Sequence, residues 1–414
     1  MVMYGRKDRN PRLLLTEEYA SQSGGAVFVN PGQTVHEIHH DYKGNLRFMK
    51  YVRQILVIFA LLTAGQRAKA QVDFTTALQP IARVSKFTDP GYFVWCGSLI
   101  RGDDGKYYLF YSRWPSTEGF KGWVTHSEIA LAVSDHLTGP FKPLKVILPT
   151  REKGYWDSDV THNPNIQKFE GKYYLYYMGN HGNGEWWDHR NHQRIGVAVA
   201  NSPLGPWLRS DKPVVDTSIG KWDHLMTSNP SVCKGKNGRF LIMYKGVGDG
   251  EMPFGGNVLH GVATADSPMG PFVKSPKPIF QLEGVKFPAE DPFVWYQDRT
   301  YRAIVKDMHS VFLRPGKAVA SGEIHTDPDK LSRSFENKAS LVLFESKNGT
   351  DWTLAKNPLV SRNELHWEDG QVQEVALLDR PQLFIEEGRP HALLCAVKVS
   401  DSETFNVIIP LKFK

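Results

Sequence analysis

One turn recurs along this chain at a nearly constant interval. Ser202-Pro203-Leu204-Gly205-Pro206-Trp207 returns as Ser267-Pro268-Met269-Gly270-Pro271-Phe272, and Leu137-Thr138-Gly139-Pro140-Phe141 is an earlier copy. The three glycines stand about 65 residues apart, the regularity of a repeat architecture with units longer than the short propeller repeats. Between copies the chain follows one grammar. A residue pair before Pro opens an apolar strand in His162-Asn163-Pro164-Asn165-Ile166, Ser228-Asn229-Pro230-Ser231-Val232, Glu290-Asp291-Pro292-Phe293-Val294 and Asp379-Arg380-Pro381-Gln382-Leu383. A Gly-containing or charged turn follows, then an aromatic strand such as Lys172-Tyr173-Tyr174-Leu175-Tyr176-Tyr177. β-Branched and aromatic runs dominate, and no segment holds a helical period beyond about one turn.

Five units of this kind fit within residues 71–414. The reading is all-β: one five-bladed β-propeller of four-stranded blades, forming a single catalytic domain. Ring closure is expected from a strand within residues 79–84 that joins the last blade. Two β-sandwiches are the rival architecture, and the even spacing counts against them. With 41% hydrophobic residues in 414, a large core is available. The net charge of +6 is modest, and no Lys/Arg block with interleaved aromatics argues for nucleic acid. The 11 Trp, 16 Tyr and 22 Phe suit a propeller core and also the stacking of sugar faces. Cys96, Cys233 and Cys395 lie far apart, without zinc-ligand spacing.

The N-terminal part reads differently. Met49-Lys50-Tyr51-Val52-Arg53 is a basic start, residues 55–64 are apolar, and Ala68-Lys69-Ala70 is a cleavage signature. That is a secretory signal peptide over 49–70, too short to span a bilayer comfortably. Residues 1–48 read as a disordered upstream over-extension, and His36, His39 and His40 within them are not taken as a metal tract. The mature chain then begins near Gln71 and is secreted or periplasmic, with no membrane insertion after cleavage. An uncleaved anchor is the alternative.

From about Asp89 to Lys414, the Gly-Lys-Tyr-Tyr-Leu-Tyr-Tyr strand and the Ser-Pro-x-Gly-Pro-Trp/Phe turn resemble the five-bladed glycoside hydrolases of family 43 and their relatives in families 32, 68 and 117. The resemblance implies a glycosidase with a carbohydrate substrate. It also implies three carboxylates near the starts of innermost strands in the first, third and fourth blades, serving as base, orienter and acid. Glu290-Asp291-Pro292 matches the place of the acid, so Glu290 is the implied general acid. At the other two places this chain carries Trp95-Cys96-Gly97-Ser98 and Asn229-Pro230.

Inverting hydrolysis needs a protonated donor at the leaving oxygen and a base holding water on the opposite face. Asp157 and Asp159 precede the second blade and are the candidates for that base. Asp291 is a candidate for coupling to Glu290, although neighbouring side chains of a regular strand point to opposite faces. His162 can bind a hydroxyl, act as an acid or ligate an axial cation. Asn163, Asn229, Trp95, Arg113, His126 and Arg380 are expected to bind substrate, with Trp114, Trp186 and Trp187 as further stacking candidates. Arg113, Arg190, Lys245 and Arg380 are candidates for reading a carboxylated or sulfated sugar. The long loop 179–194 carries the composition of a functional loop. No cofactor is required, and an axial divalent cation such as calcium is allowed. The sequence sets no oligomeric state. A noncatalytic carbohydrate-binding propeller and a glycoside phosphorylase are the alternatives to an exo-acting hydrolase.

Overall fold

The computed structural model describes residues 72–313 and 340–413. The expected upstream segment 1–48, with its three histidines, and the expected signal peptide 49–70 lie outside the described residues. No helix among the described residues is long and apolar enough to cross a membrane.

Five four-stranded antiparallel sheets form the blades of a propeller. Their innermost strands are Tyr92–Arg101, Val160–Phe169, Met226–Lys234, Ala289–Gln297 and Leu377–Glu386. Each lies against its neighbour in the next blade, and the fifth lies against the first. Apolar layers fill the wedges between blades. Phe110, Ile129, Tyr173 and Leu175 pack between the first two blades. Tyr176, Val197, Ile242 and Tyr244 pack between the second and third.

Ring closure comes slightly later in the chain than expected. The strand that completes the fifth blade is Lys86–Phe87, with Lys86 opposite Val407 and Phe87 opposite Asn406. Residues 79–84 cannot supply it. Pro80 has no N–H to give a ladder, Ile81 bridges Trp367 in parallel, and Arg83–Ser85 is a 3₁₀ turn.

Every innermost strand breaks its register at the same place. The shifts fall between Trp95 and Ser98, His162 and Asn165, Ser228 and Ser231, Glu290 and Phe293, and Asp379 and Gln382. The bulged residue is left-handed each time: Cys96, Asn163, Asn229, Asp291 and Arg380 have φ of 53°, 55°, 53°, 54° and 53°. Asn and Asp tolerate this region, whereas other side chains are strained there. The bulge also resolves the problem posed by Glu290 and Asp291. It re-aims the strand locally, so two consecutive acids face the same cavity.

A second repeated device lies away from the axis. Tyr111, Tyr177 and Tyr244 donate their hydroxyls to Asp89, Asp157 and Asp223 at 2.6, 2.6 and 3.0 Å. Each carboxylate also holds a cation. Arg113 donates to Asp89, Lys274 to Asp223, and Arg151 and Arg209 to Asp157. Trp156 and Trp222, the residues preceding two of these acids, stack on Tyr177 and Tyr244 with centroids 5.6 and 5.5 Å apart. They also cover strand glycines: a Cβ at Gly196 would come within 2.3 Å of Trp156. The Trp-Asp pairs are therefore blade locks. Asp157→Ala would leave two arginines without their buried partner and should cost about 3–5 kcal/mol. Denaturant melts of wild type and variant measure it, and a change under 1 kcal/mol would remove the locking role.

Candidate active site

The innermost strands converge on an axial pocket of about 210 Å³, to which all five blades contribute. Its floor is made by four of the five left-handed residues, Asn163, Asn229, Asp291 and Arg380, with Cys96 bonded behind them. Cys96 donates its thiol hydrogen to Asn163 Oδ1 at 3.0 Å, Asn163 Nδ2 donates to Asn229 Oδ1 at 2.9 Å, and Asn229 Nδ2 donates to Asp291 Oδ1 at 2.5 Å. From the other side Arg380 donates to Asp291 through Nη1 at 2.7 Å and through its backbone N–H at 3.2 Å. All these donors run toward one carboxylate. Asp291 is buried, which works against its charge. The Arg380 and Lys245 cations and the Arg380 hydrogen bond outweigh burial and hold the carboxyl below its usual value. The Cys96 thiol is pushed up to about 12 by burial and stays protonated.

A second set of side chains rims the floor, one residue before four of the five bulges. Trp95, His162, Glu290 and Asp379 line the pocket from this position. Glu290 pairs with Lys245 at 2.9 Å, and Lys306 donates to Asp379. Burial pushes the Asp379 carboxyl up to about 6, against the pull of Lys306 and with the help of the Asp291 charge. His162 is buried, with Nδ1 2.7 Å from Ser127 Oγ and its ring stacked on Trp123 at 5.1 Å. Burial and the Arg380 charge push it well below its ordinary value, so it is a neutral imidazole. Trp95, Trp114, Phe120, Trp123 and Trp186 supply an aromatic wall.

Comparison with known proteins identifies this architecture. No protein-family model and no curated protein sequence matches the chain. Solved structures do match it. A family 117 glycoside hydrolase of the marine bacterium Zobellia galactanivorans superposes with a TM-score of 0.52 at 20% identity, over 81% of this chain and 88% of that one. A thermostable family-43 glycoside hydrolase gives 0.50 at 13% identity, over 82% and 93%. The α-L-arabinofuranosidase of Lactobacillus brevis gives 0.50 at 12% identity, over 82% and 94%. The fold is the five-bladed propeller these glycoside hydrolases share. At such identities the likeness is one of fold alone.

The propeller gathers most of the residues singled out from the sequence. Glu290, Asp291, His162, Asn163, Asn229, Trp95 and Arg380 line the pocket. Four others do not. Asp157 is fully buried in its lock. Asp159 lies in a separate cleft with Tyr155, Trp156 and His181, where it accepts from Gly182 N at 3.0 Å. Arg113 is spent on Asp89 and Glu128. His126 is exposed at the end of a four-residue helix, 2.8 Å from Thr125 Oγ1. Trp114 and Trp186 line the pocket, while Trp187 is exposed.

Asp379, Lys306, Trp123 and Gln193 line the pocket without having been candidates. Asp379 had a signal, since Asp379-Arg380-Pro381 places it as Glu290-Asp291-Pro292 places Glu290. Gln193 had only the composition of the loop 179–194 around it, and Trp123 had none, because the helix Trp123–His126 is too short to carry a pattern.

The depressed Asp291 value has a stability consequence with a definite sign. A carboxyl whose folded value lies below its unfolded value of about 3.9 contributes stability that is present above that pH. That contribution is lost as pH falls through the folded value. Acid unfolding of Asp291→Asn should therefore be less steep below about pH 4 than that of wild type, on a protein already weakened at neutral pH. Equal slopes by circular dichroism would show that Asp291 does not govern acid stability.

Proposed function

We propose that the chain is an exo-acting, inverting glycosidase that takes one terminal sugar residue into the axial pocket. The observation that carries this reading is a pair of carboxyls, Glu290 and Asp379, at equivalent positions in adjacent blades above a closed floor and beneath aromatic walls. The pocket is smaller than the roughly 300–1,000 Å³ of drug-sized sites, in keeping with a single sugar ring. The hydrogen-bonded floor supports entry by a chain end rather than passage of a chain through the axis.

The two carboxyls divide the work. Asp379, pushed up to about 6, keeps its proton up to about that pH and gives it to the glycosidic oxygen as the C1–O bond breaks. Glu290, ion-paired with Lys245, takes a proton from the water that attacks C1 on the opposite face. The family resemblance gives the donor role to Glu290; the burial of Asp379 favours the reverse assignment. Asp291 stays ionised and anchors the floor, while neutral His162, held by Ser127 and Cys96, lines the wall beside it. Export by the signal segment 49–70 belongs to the same reading and rests on the sequence.

Glu290→Gln and Asp379→Asn should each lower kcat by about 10²–10⁴-fold while melting stays cooperative. Wild-type turnover should fall as pH rises past about 6, and Asp379→Asn should lose that limb. A screen of oligosaccharides, with the anomer of the released sugar read by NMR, tests the reaction and its stereochemistry. Binding without turnover in wild type would instead make the protein a carbohydrate receptor. Turnover only with phosphate would make it a phosphorylase.

The Arg380 guanidinium already neutralises Asp291 at the axis, so the reading includes no divalent cation there. EDTA should leave turnover unchanged, and restoration of lost activity by calcium would overturn that part.

A further inference from the structure

Three of the carboxylates lining the pocket are matched by a cation, but the match is not complete. Arg190 also lines the pocket and is only 8% exposed. Its Nη1 donates to Asn191 Oδ1 at 2.9 Å and to the Phe254 carbonyl at 2.8 Å. Neither acceptor carries charge, and among the described residues no carboxylate pairs with this guanidinium. Burying an unpaired cation is costly, and proteins ordinarily neutralise it with a counter-ion.

Two more pocket groups from the same stretch lack partners. Trp186 Nε1 and both amide atoms of Gln193 are buried without a hydrogen bond, and Gln193 is 1% exposed. Buried polar groups are normally satisfied, and these three unpartnered atoms belong to residues that line one cavity beside an unpaired guanidinium. The fold explains the grouping. Trp186 and Arg190 sit one turn apart on the helix Trp186–Asn191, and Gln193 immediately precedes the strand Arg194–Ala200. They come from the second blade, whereas Glu290 and Asp379 come from the fourth and fifth.

We propose that Arg190, Trp186 and Gln193 form an oxyanion subsite that selects sugars carrying a carboxylate or a sulfate ester. The guanidinium supplies charge and a planar fork of donors, and the indole N–H and the amide N–H add single donors. Gln193 Oε1 remains as an acceptor for a neighbouring hydroxyl. A uronic acid and an O-sulfated sugar offer the same chemistry, which is oxygen-borne negative charge on a ring. The inference rests on the glycosidase reading and names its substrate class.

The test uses matched oligosaccharides that differ only in the terminal residue: neutral hexose, hexuronate or O-sulfated hexose. Turnover is measured as kcat/KM and binding by calorimetry, for wild type, Arg190→Met and Trp186→Phe. Wild type should prefer one anionic terminus over the neutral one by at least about tenfold, and the preferred arm identifies carboxylate or sulfate. Arg190→Met should lose about 10–100-fold on that substrate, mainly through KM, so that the anionic preference collapses. If Arg190→Met does not fold, Arg190→Lys keeps the charge without the fork, and Trp186→Phe keeps the ring without its N–H; each should still erode the preference. Neutral termini turned over as well as anionic ones, or a preference unchanged in the variants, would overturn the subsite and leave the glycosidase reading standing. No turnover and no binding on any arm would overturn both.

Discussion

The architecture of the pocket depends on what happens at Asp291. One buried carboxylate accepts from Asn229, from the Arg380 guanidinium and from the Arg380 backbone. Through Asn229 and Asn163 the chain of donors reaches Cys96, so side chains from all five blades are tied to it. A buried ion pair of this kind contributes little net stability, because desolvation offsets the Coulomb attraction. What it supplies is geometry: in this arrangement the charge and the amide donors are satisfied together. The blades are held in register at the axis by polar geometry, and elsewhere by apolar packing.

That geometry is obtained at a conformational cost. Five non-glycine residues stand in the left-handed region at about 1–2 kcal/mol each. Asn163, Asn229 and Asp291 reduce the cost, since such residues reach this region most easily. Cys96 and Arg380 do not, and they persist because the surrounding ladder over-determines them. In return the bulge turns two successive residues of each innermost strand toward the axis. The first residue of each pair differs from blade to blade, as Trp, His, Ser, Glu and Asp, and all but Ser228 line the cavity. The second is constrained by the floor. Scaffold and site are thereby separated within a single dipeptide.

This separation explains what the sequence discloses. The repeat, the strands and the five-bladed ring follow from Pro-led strands, tyrosine-rich second strands and Gly-Pro turns, all of which are local signals. Glu290, Asp291, His162 and Arg380 were legible because they sit beside those prolines. Asp157 misled for a physical reason: an acid next to a Trp before an innermost strand looks the same whether it faces the axis or a tyrosine hydroxyl. Only the fold shows Tyr177 and Arg151 around Asp157. Trp123 was invisible because a helix of four residues carries no pattern, and Gln193 was marked only by the composition of its loop. The closing strand was misplaced by a few residues because Lys86–Phe87 is too short to carry a pattern.

Pairing of charge gives the pocket its chemical character. Glu290, Asp291 and Asp379 face Lys245, Arg380 and Lys306, and each pair spans two neighbouring blades. In a cavity walled by aromatic rings such pairs interact strongly, and the state of one alters its neighbours. Asp379 shows this: burial, helped by the Asp291 charge, raises its carboxyl although Lys306 is bonded to it. Burial is the larger cause of the raised Asp379 carboxyl, and the neighbouring carboxylates add to it against the pull of Lys306. A fourth cation, Arg190, breaks the balance toward positive. A neutral sugar would leave that excess buried, whereas an anionic one would complete the pairing the rest of the pocket already follows.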